Sequence, residues 1–302
     1  MENIMKKKLL SLVLTGCLAA GLLTGCGSAG DNAKTASKSK DSYKVGICQL
    51  IQHPALDAAT EGFKAALTEK LGDKVSFDEQ NASGDSATCA TIANQFVSSG
   101  VDLILANATA PLQAAAAATN SIPILGTSVT DYATALQMDN WTGTTGTNIS
   151  GTSDLAPLAE QAAMLNELFP DAKNIGLVYC SAEANSAYQI GVVKDELTKM
   201  GYTCTEYSFA DSNDIASVVT NATSASDVLY IPTDNSAAAA TEVINNICEP
   251  AGVPIITGEE GICKGCGVAT LSISYYDLGV ATGKMAAKIL KGESKVEEMP
   301  IE

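Results

Sequence analysis

This sequence contains no arginine. A planar guanidinium is the usual bidentate clamp for a carboxylate or phosphate. Any anion held by this chain must therefore be met by hydroxyls, backbone N–H groups or lysine. Histidine is almost as scarce, since His53 is the only one. A multi-histidine metal site is excluded, and so is a Ser- or Cys-based triad unless His53 supplies its base. Trp141 is the only tryptophan and aromatics make up 5% of the chain, which leaves little stacking surface for sugars. Positive charge is short as well: 18 basic residues face 34 acidic ones, for a formal net charge of −16. Such a surface favours solubility and repels nucleic acid, which needs clustered Lys and Arg. No nucleic-acid partner is expected. No G-x-S-x-G motif and no metal cluster is present, so the expectation is no catalysis, no cofactor and no metal.

What the chain does have begins with a repeated Leu-Thr-Gly-Cys, at Leu14–Cys17 and Leu23–Cys26. A basic start (Lys6, Lys7, Lys8) and an apolar run from Leu9 to Leu23 precede the second copy, and a polar stretch follows it. That order predicts a secretory signal peptide over residues 1–25. The run is broken by Thr15, Gly16, Gly21, Thr24 and Gly25, and falls short of the ~20 apolar residues of a membrane span. Its end resembles the lipobox of bacterial lipoproteins, which implies lipidation at Cys26 and attachment to the extracytoplasmic face of the cell membrane. Cys17 leaves only about eight residues after the lysines, near the short end of an apolar signal region of roughly 7–15, whereas Cys26 leaves a run of ordinary length. Loss of residues 1–25 removes three lysines and one glutamate and takes the charge from −16 to −18. Residues 26–42 then form the lipidated Cys and a flexible tether, because GSAGDNAKTASKSKDS carries no large apolar side chain.

Of nine cysteines, seven remain beyond Cys17 and Cys26, an odd number that cannot all pair within one chain. Cys48, Cys89, Cys180 and Cys248 sit among apolar neighbours and read as small buried hydrophobes. Unpaired thiols on an exported protein would suit a reducing habitat. Cys263-Lys264-Gly265-Cys266 has redox or metal spacing, but no second pair completes a zinc site and its glycines predict a loop. Whether Cys263 and Cys266 form a local disulfide is left open.

From Tyr43 onward, short β-rich runs alternate with helical periodicity. Tyr43–Leu50 and Val75–Asp78 read as strands, and Pro54–Leu71 and Ser86–Ser98 as helices. This alternation predicts an α/β fold of parallel sheets flanked by helices. The second half repeats the first. Asp102-Leu-Ile-Leu-Ala runs through an Ala-rich helix to Ile122-Pro-Ile-Leu-Gly126, and Asp227-Val-Leu-Tyr-Ile-Pro232 does likewise to Val253-Pro-Ile-Ile-Thr257. Two similar lobes with a cleft between them follow. Lobe one is assigned 43–153 plus about 275–292, and lobe two 154–274 plus about 293–302, with Gly143–Gly151 as the interlobe crossing. Repeated crossing makes a hinge suited to closing on a ligand.

Ligands of open parallel sheets bind at the carboxyl ends of strands. The loops there carry hydroxyls, amides and a few carboxylates, and several open helices whose free N–H groups favour an anion. Thr109 and Ser128 can hold a carboxylate without arginine. Asp131, Glu183, Asp234 or Glu260 can hold an ammonium. The combination suits a zwitterion such as an amino acid. The expected ligand contacts are His53, Ala108, Thr109, Thr127, Ser128, Asp131, Ser153, Glu183, Asn185, Ser186, Asp234, Asn235, Glu260 and Tyr275. Each Asp, Asn, Ser or Thr among them can equally be a helix cap worth about 0.5–2 kcal/mol.

Several runs carry a family resemblance: HPALDAATEGF, ILANATAPLQAAA, IPILGTSVTD, NISGTSDLAP, SAEANS, YIPTDN, VPIITGEEG and YYDLGVATGKMAAKILKGE. Together they make residues 43–302 resemble the substrate-binding proteins of bacterial ABC importers, in the family that includes tryptophan and tyrosine binders. The resemblance implies the type I periplasmic-binding-protein fold, no catalysis, and a monomer that delivers its ligand to an ABC permease and ATPase. It favours an aromatic amino acid, with branched-chain amino acids as the nearest alternative and ligand sensing as the alternative to transport. The loop GICKGCG and the segment MDNWTGTTGT depart from the family pattern, so Trp141 inherits no role.

Overall fold

The computed structural model describes residues 41–302. The predicted signal peptide, Cys26 and nearly all of the tether lie outside the described residues. No helix among the described residues is long and apolar enough to cross a membrane.

The chain opens with β1 (Tyr43–Gln49), α1 (Pro54–Leu71), β2 (Val75–Asn81), α2 (Ser86–Ser99), β3 (Leu103–Asn107), α3 (Thr109–Ala118), β4 (Ile124–Val129), α4 (Tyr132–Leu136) and β5 (Ile149–Ser153). These strands form a wholly parallel sheet in the order β2-β1-β3-β4-β5. The chain continues through α5 (Leu158–Leu168), β6 (Asn174–Cys180), α6 (Ala184–Lys199), β7 (Thr203–Phe209), α7 (Ile215–Thr223) and β8 (Val228–Ile231). Then come α8 (Asn235–Ala238), α9 (Thr241–Ala251), β9 (Ile255–Thr257), α10 (Glu260–Cys266), β10 (Ala269–Thr270) and α11 (Tyr275–Leu290). The second parallel sheet runs β10-β9-β8-β6-β7. Central strands are buried throughout: every residue of β3, β4 and β8 is inside. That is why β8 and β3 up to Asn107 read as apolar runs rather than alternating ones.

Helix α11 returns from the second sheet and packs lengthwise on α1. Small residues make this possible. A Cβ on Gly279 would strike the Ala59 carbonyl, one on Gly62 the Tyr276 carbonyl, and one on Gly283 the backbone at Phe63. The two backbones are in contact, with Phe63 and Met285 buried beneath them.

Three expectations are corrected. Gly143–Gly151 is not the crossing, because Ile149–Ser153 pairs with β4 as the edge of the first sheet. The chain instead passes between sheets at 154–157 and again at 271–274. The C-terminal residues do not join lobe two. The Ser150 hydroxyl donates to Met299 and Pro300 carbonyls, Glu302 N–H donates to Gly151 O and Ser153 N–H to Glu302 O, which ties the segment to β5. Finally, Cys263 and Cys266 lie on helix α10, not in a loop. Gly265 is needed there because a Cβ would collide with Thr241. Both thiols are free. Cys266 ends its helix, where the dipole disfavours a thiolate, and burial pushes its thiol up to about 12.

Candidate functional site

Strands of both sheets end at the same cleft. Loops from the carboxyl ends of both sheets line an outer chamber of about 240 Å³ and an inner compartment of about 10 Å³. The two share Asn185 and Asn235. The inner volume is that of about one water molecule or one ammonium group.

Lobe one contributes donors. Helices α1 and α3 have no side-chain cap at His53 and Ala108, so their first N–H groups keep the partial positive charge of an open helix end. Ala108 holds φ +105° and Ser128 φ +55°, a strained backbone that surrounding structure must enforce and that clusters at binding sites. The buried Thr109 Oγ1, Ser128 Oγ and His53 Nδ1 have no hydrogen-bond partner. Such orphans are uncommon in native interiors and call for an occupant.

Lobe two and the crossings contribute carboxylates. Glu183 accepts from Asn235 N (3.1 Å), Asn235 Nδ2 (2.6 Å), Ser236 N (2.9 Å) and Ser236 Oγ (2.8 Å), and so caps α8. Asp234 accepts from Cys180 N (2.6 Å) and Ala237 N (2.8 Å). Burial, reinforced by the Glu183 charge, pushes the Asp234 carboxyl up to about 7. Asp154, 3% exposed, follows β5 at the first crossing. It accepts from Thr130 Oγ1 (2.9 Å) and from Tyr275 OH (2.8 Å) at the start of α11. Glu259 caps α10 through Gly261 N and Ile262 N. Burial raises the Asp154 and Glu259 carboxyls above their ordinary range, and for Glu259 the Asp154 charge adds to it. Among the described residues, no lysine lines either compartment. Asp154, Asp234 and Glu259 therefore meet around one small space with no cation to balance them.

Of the expected contacts, the inner compartment gathers His53, Ser128, Asn185, Asp234, Asn235 and Tyr275, and the outer chamber gathers Thr109, Glu183, Asn185 and Asn235. Ala108 and Thr127 lie just beneath, joined by Ala108 N–H to Thr127 O. Ser186 is fully buried behind Asn185, and the Ser153 hydroxyl turns to Thr130 O. Two acids are corrected. Asp131 caps α4 through Thr134 N at 2.7 Å and lines neither compartment. Glu260 is exposed and pairs with Lys264 at 2.6 Å. Trp141 stacks on Tyr132, ring centroids 6.5 Å apart, away from the lining. Sequence reasoning missed Asp154 and Glu259. The signal for Glu259 was present, since an acid three residues before Ile262 has N-cap spacing. Asp154 was hidden because the crossing was placed before it.

Two parallel α/β lobes joined by crossing segments, with a polar cleft between them, define a solute-binding protein of the type I periplasmic-binding class. Residues 44–302 match the family described as ABC transporter substrate binding protein, and the chain belongs to that family. It is 37% identical to a tyrosine-binding protein of Clostridioides difficile strain R20291, over 99% of this chain and 88% of the relative. A Streptococcus pneumoniae domain solved with L-Trp superposes with a TM-score of 0.82 at 33% identity, over 86% of this chain and 88% of the other. A ligand-free, open substrate-binding protein with adhesive properties from Clostridium difficile gives 0.61 at 38% identity, again over 86% and 88%. The lobes thus stand nearer to the arrangement of the L-Trp complex than to the open one, although the open protein is the more similar in sequence. Proteins of this family act outside the cytoplasm.

Proposed function

We propose that this protein is a lipid-anchored, extracytoplasmic binding protein that closes its two lobes on an amino acid and presents it to an ABC permease. The observation that carries the reading is the charge division of the cleft. Uncapped helix ends and orphan hydroxyls lie on lobe one, and unbalanced carboxylates lie at the crossings and on lobe two. That is the complement of a zwitterion. The carboxylate lies against the N-terminus of α3 with Thr109 and Ser128, and the ammonium enters the inner compartment beside Asp154 and Glu259.

The side chain then occupies the outer chamber. Its apolar lining is Leu50, Ile51 and Ala110 from lobe one and Ala182, Ala239 and Ala240 from lobe two, set among polar residues that include Asp85, Gln113 and Asp211; the small and aliphatic groups suit a flat ring and the polar ones its substituents. The names of the tyrosine-binding and L-Trp-bound relatives support an aromatic ligand. The chain works as a monomer, tethered through Cys26, which keeps the binding site near its permease and raises its effective concentration there.

A thermal-shift scan of the protein without residues 1–26 against the twenty amino acids tests this. A ligand at a hundred times its Kd adds about 2.7 kcal/mol. L-tyrosine or L-tryptophan is expected to give the largest shift, and no shift with any amino acid refutes the reading. Mass spectrometry of the protein isolated from membranes tests the anchor: a diacylglyceryl group on any residue other than Cys26, or none, refutes that part.

A further inference from the structure

His53 Nε2 lies 3.1 Å from Asn235 Oδ1, a hydrogen bond between the β1–α1 loop of lobe one and helix α8 of lobe two. Its polarity is determined by what lies behind it. Glu183 only accepts, so the 2.6 Å contact from Asn235 fixes Nδ2 toward Glu183 and Oδ1 toward His53. An amide oxygen also only accepts, so His53 must carry its proton on Nε2. Neutral histidine then bears a lone pair on Nδ1. That atom is buried and unpartnered, on a ring that lines the inner compartment.

Building on the amino-acid reading, we infer that His53 is a specificity-determining residue that accepts a hydrogen bond from the ligand ammonium through Nδ1, in the tautomer imposed across the closed cleft by Glu183 and Asn235. The relay exists only when the lobes are together, since opening separates His53 from Asn235 and releases the tautomer. Recognition of the amine and closure become one event, which supplies the differential affinity that any closure-coupled ligand requires.

The titratable groups around the ring are Glu183 and Asp57, which act on it through space, and Asp154, Asp234, Glu259 and Tyr275, which share its compartment. Burial lowers the His53 pKa and outweighs the bond to Asn235 and the nearby carboxylates, so the ring is neutral at pH 7. Protonation at lower pH would consume the lone pair.

The test measures Kd by calorimetry for L-tyrosine and for its des-amino analogue, 3-(4-hydroxyphenyl)propionate, between pH 5 and 8. The wild type is compared with His53→Ala and His53→Gln. Glutamine keeps a donor for Asn235 and an acceptor for the ligand. His53→Ala is expected to weaken L-tyrosine about 10- to 100-fold, the range for a charge-assisted hydrogen bond, while the des-amino acid changes less than threefold. His53→Gln recovers most of the loss and flattens the wild-type decline in affinity toward low pH, leaving only the part due to the carboxylates. Equal losses for both ligands, or a pH profile that His53→Gln does not alter, overturns the inference. If the wild type binds amino acids well and His53→Ala has no effect, the inference fails and the amino-acid reading stands. If no amino acid binds the wild type, both fail.

Discussion

Replacing Asp154 by asparagine separates what the cleft costs from what it gains. Asp154 is 3% exposed and receives two hydroxyl hydrogen bonds, from Thr130 and Tyr275, and no lysine among the described residues lines its compartment. Asparagine is isosteric, and both hydroxyls can turn to donate to its oxygen or accept from its nitrogen. The substitution therefore removes a buried, uncompensated charge and keeps the hydrogen bonds. A buried polar group left without full compensation costs about 1–3 kcal/mol, so the unliganded variant should be more stable than the wild type by about that amount at pH 7.5. The sign with pH follows from linkage. Burial raises the folded pKa of Asp154 above its unfolded value, so the folded state binds the proton more tightly and wild-type stability falls as pH rises between the two values. The gain from asparagine must shrink as pH drops and vanish only below the unfolded pKa of about 3.9, where Asp154 is protonated in both states. Urea unfolding at pH 4.5 and 7.5 measures the difference, and calorimetry with L-tyrosine measures the cost. Affinity is expected to fall about 10- to 100-fold at pH 7.5. A variant that is less stable at pH 7.5, or that binds as tightly as the wild type, refutes the argument.

Other substitutions test the frame around the cleft. Gly279→Ala puts a methyl against the Ala59 carbonyl on α1. It should cost about 1–3 kcal/mol by overpacking, read from the urea midpoint. Asp131→Ala should lose about 1 kcal/mol with the α4 cap, and Glu260→Ala should change stability by less than about 0.5 kcal/mol. Neither should change ligand affinity in calorimetry, since neither side chain lines the cleft. Iodoacetamide should modify Cys266 slowly in the native protein at pH 7.5, because burial pushes its thiol to about 12. Mass-spectrometric counting should show a marked acceleration on unfolding.

Much of the fold was legible because its parallel strands are buried on both faces and its helices are amphipathic. The predicted helix Pro54–Leu71 matches the observed bounds, and the strand-end loops bring His53, Thr109, Ser128, Asn185, Asp234, Asn235 and Tyr275 to the cleft. The errors have physical causes. Ile149–Ser153 is an edge strand rich in Ser, Thr and Gly, so composition marked it as a loop. Gly151 is required there because a Cβ would meet the Gly126 backbone and the Tyr132 hydroxyl, a tertiary constraint invisible in sequence. The Cys263–Cys266 segment read as a loop because of its glycines, yet Gly265 is the small residue that lets α10 approach Thr241 on α9. The choice of Asp131 and Glu260 over Asp154 and Glu259 failed for a different reason. Sequence places a carboxylate at a loop, but only packing decides whether it caps a helix, pairs with a lysine or enters a cavity.

The placement of charge also explains why closure and binding belong together. Bringing the lobes together desolvates Asp154, Asp234 and Glu259 around one compartment, where Asp154 and Glu259 repel each other. An empty closed state carries that cost in full. An ammonium in the compartment reverses its sign, because the same low-dielectric surroundings that penalise lone carboxylates strengthen their attraction to a cation. The open state, with its carboxylates hydrated, gains far less from the same ammonium. The ligand's differential affinity for the closed state therefore comes from its positive end, while its carboxylate and side chain contribute to holding it in place. Hence an amino acid should drive closure, whereas its des-amino analogue, even when bound, should not. Small-angle scattering reads the distinction: a decrease in radius of gyration with L-tyrosine but not with 3-(4-hydroxyphenyl)propionate at saturation is expected, and equal compaction by both would show that the carboxylate cluster does not control closure.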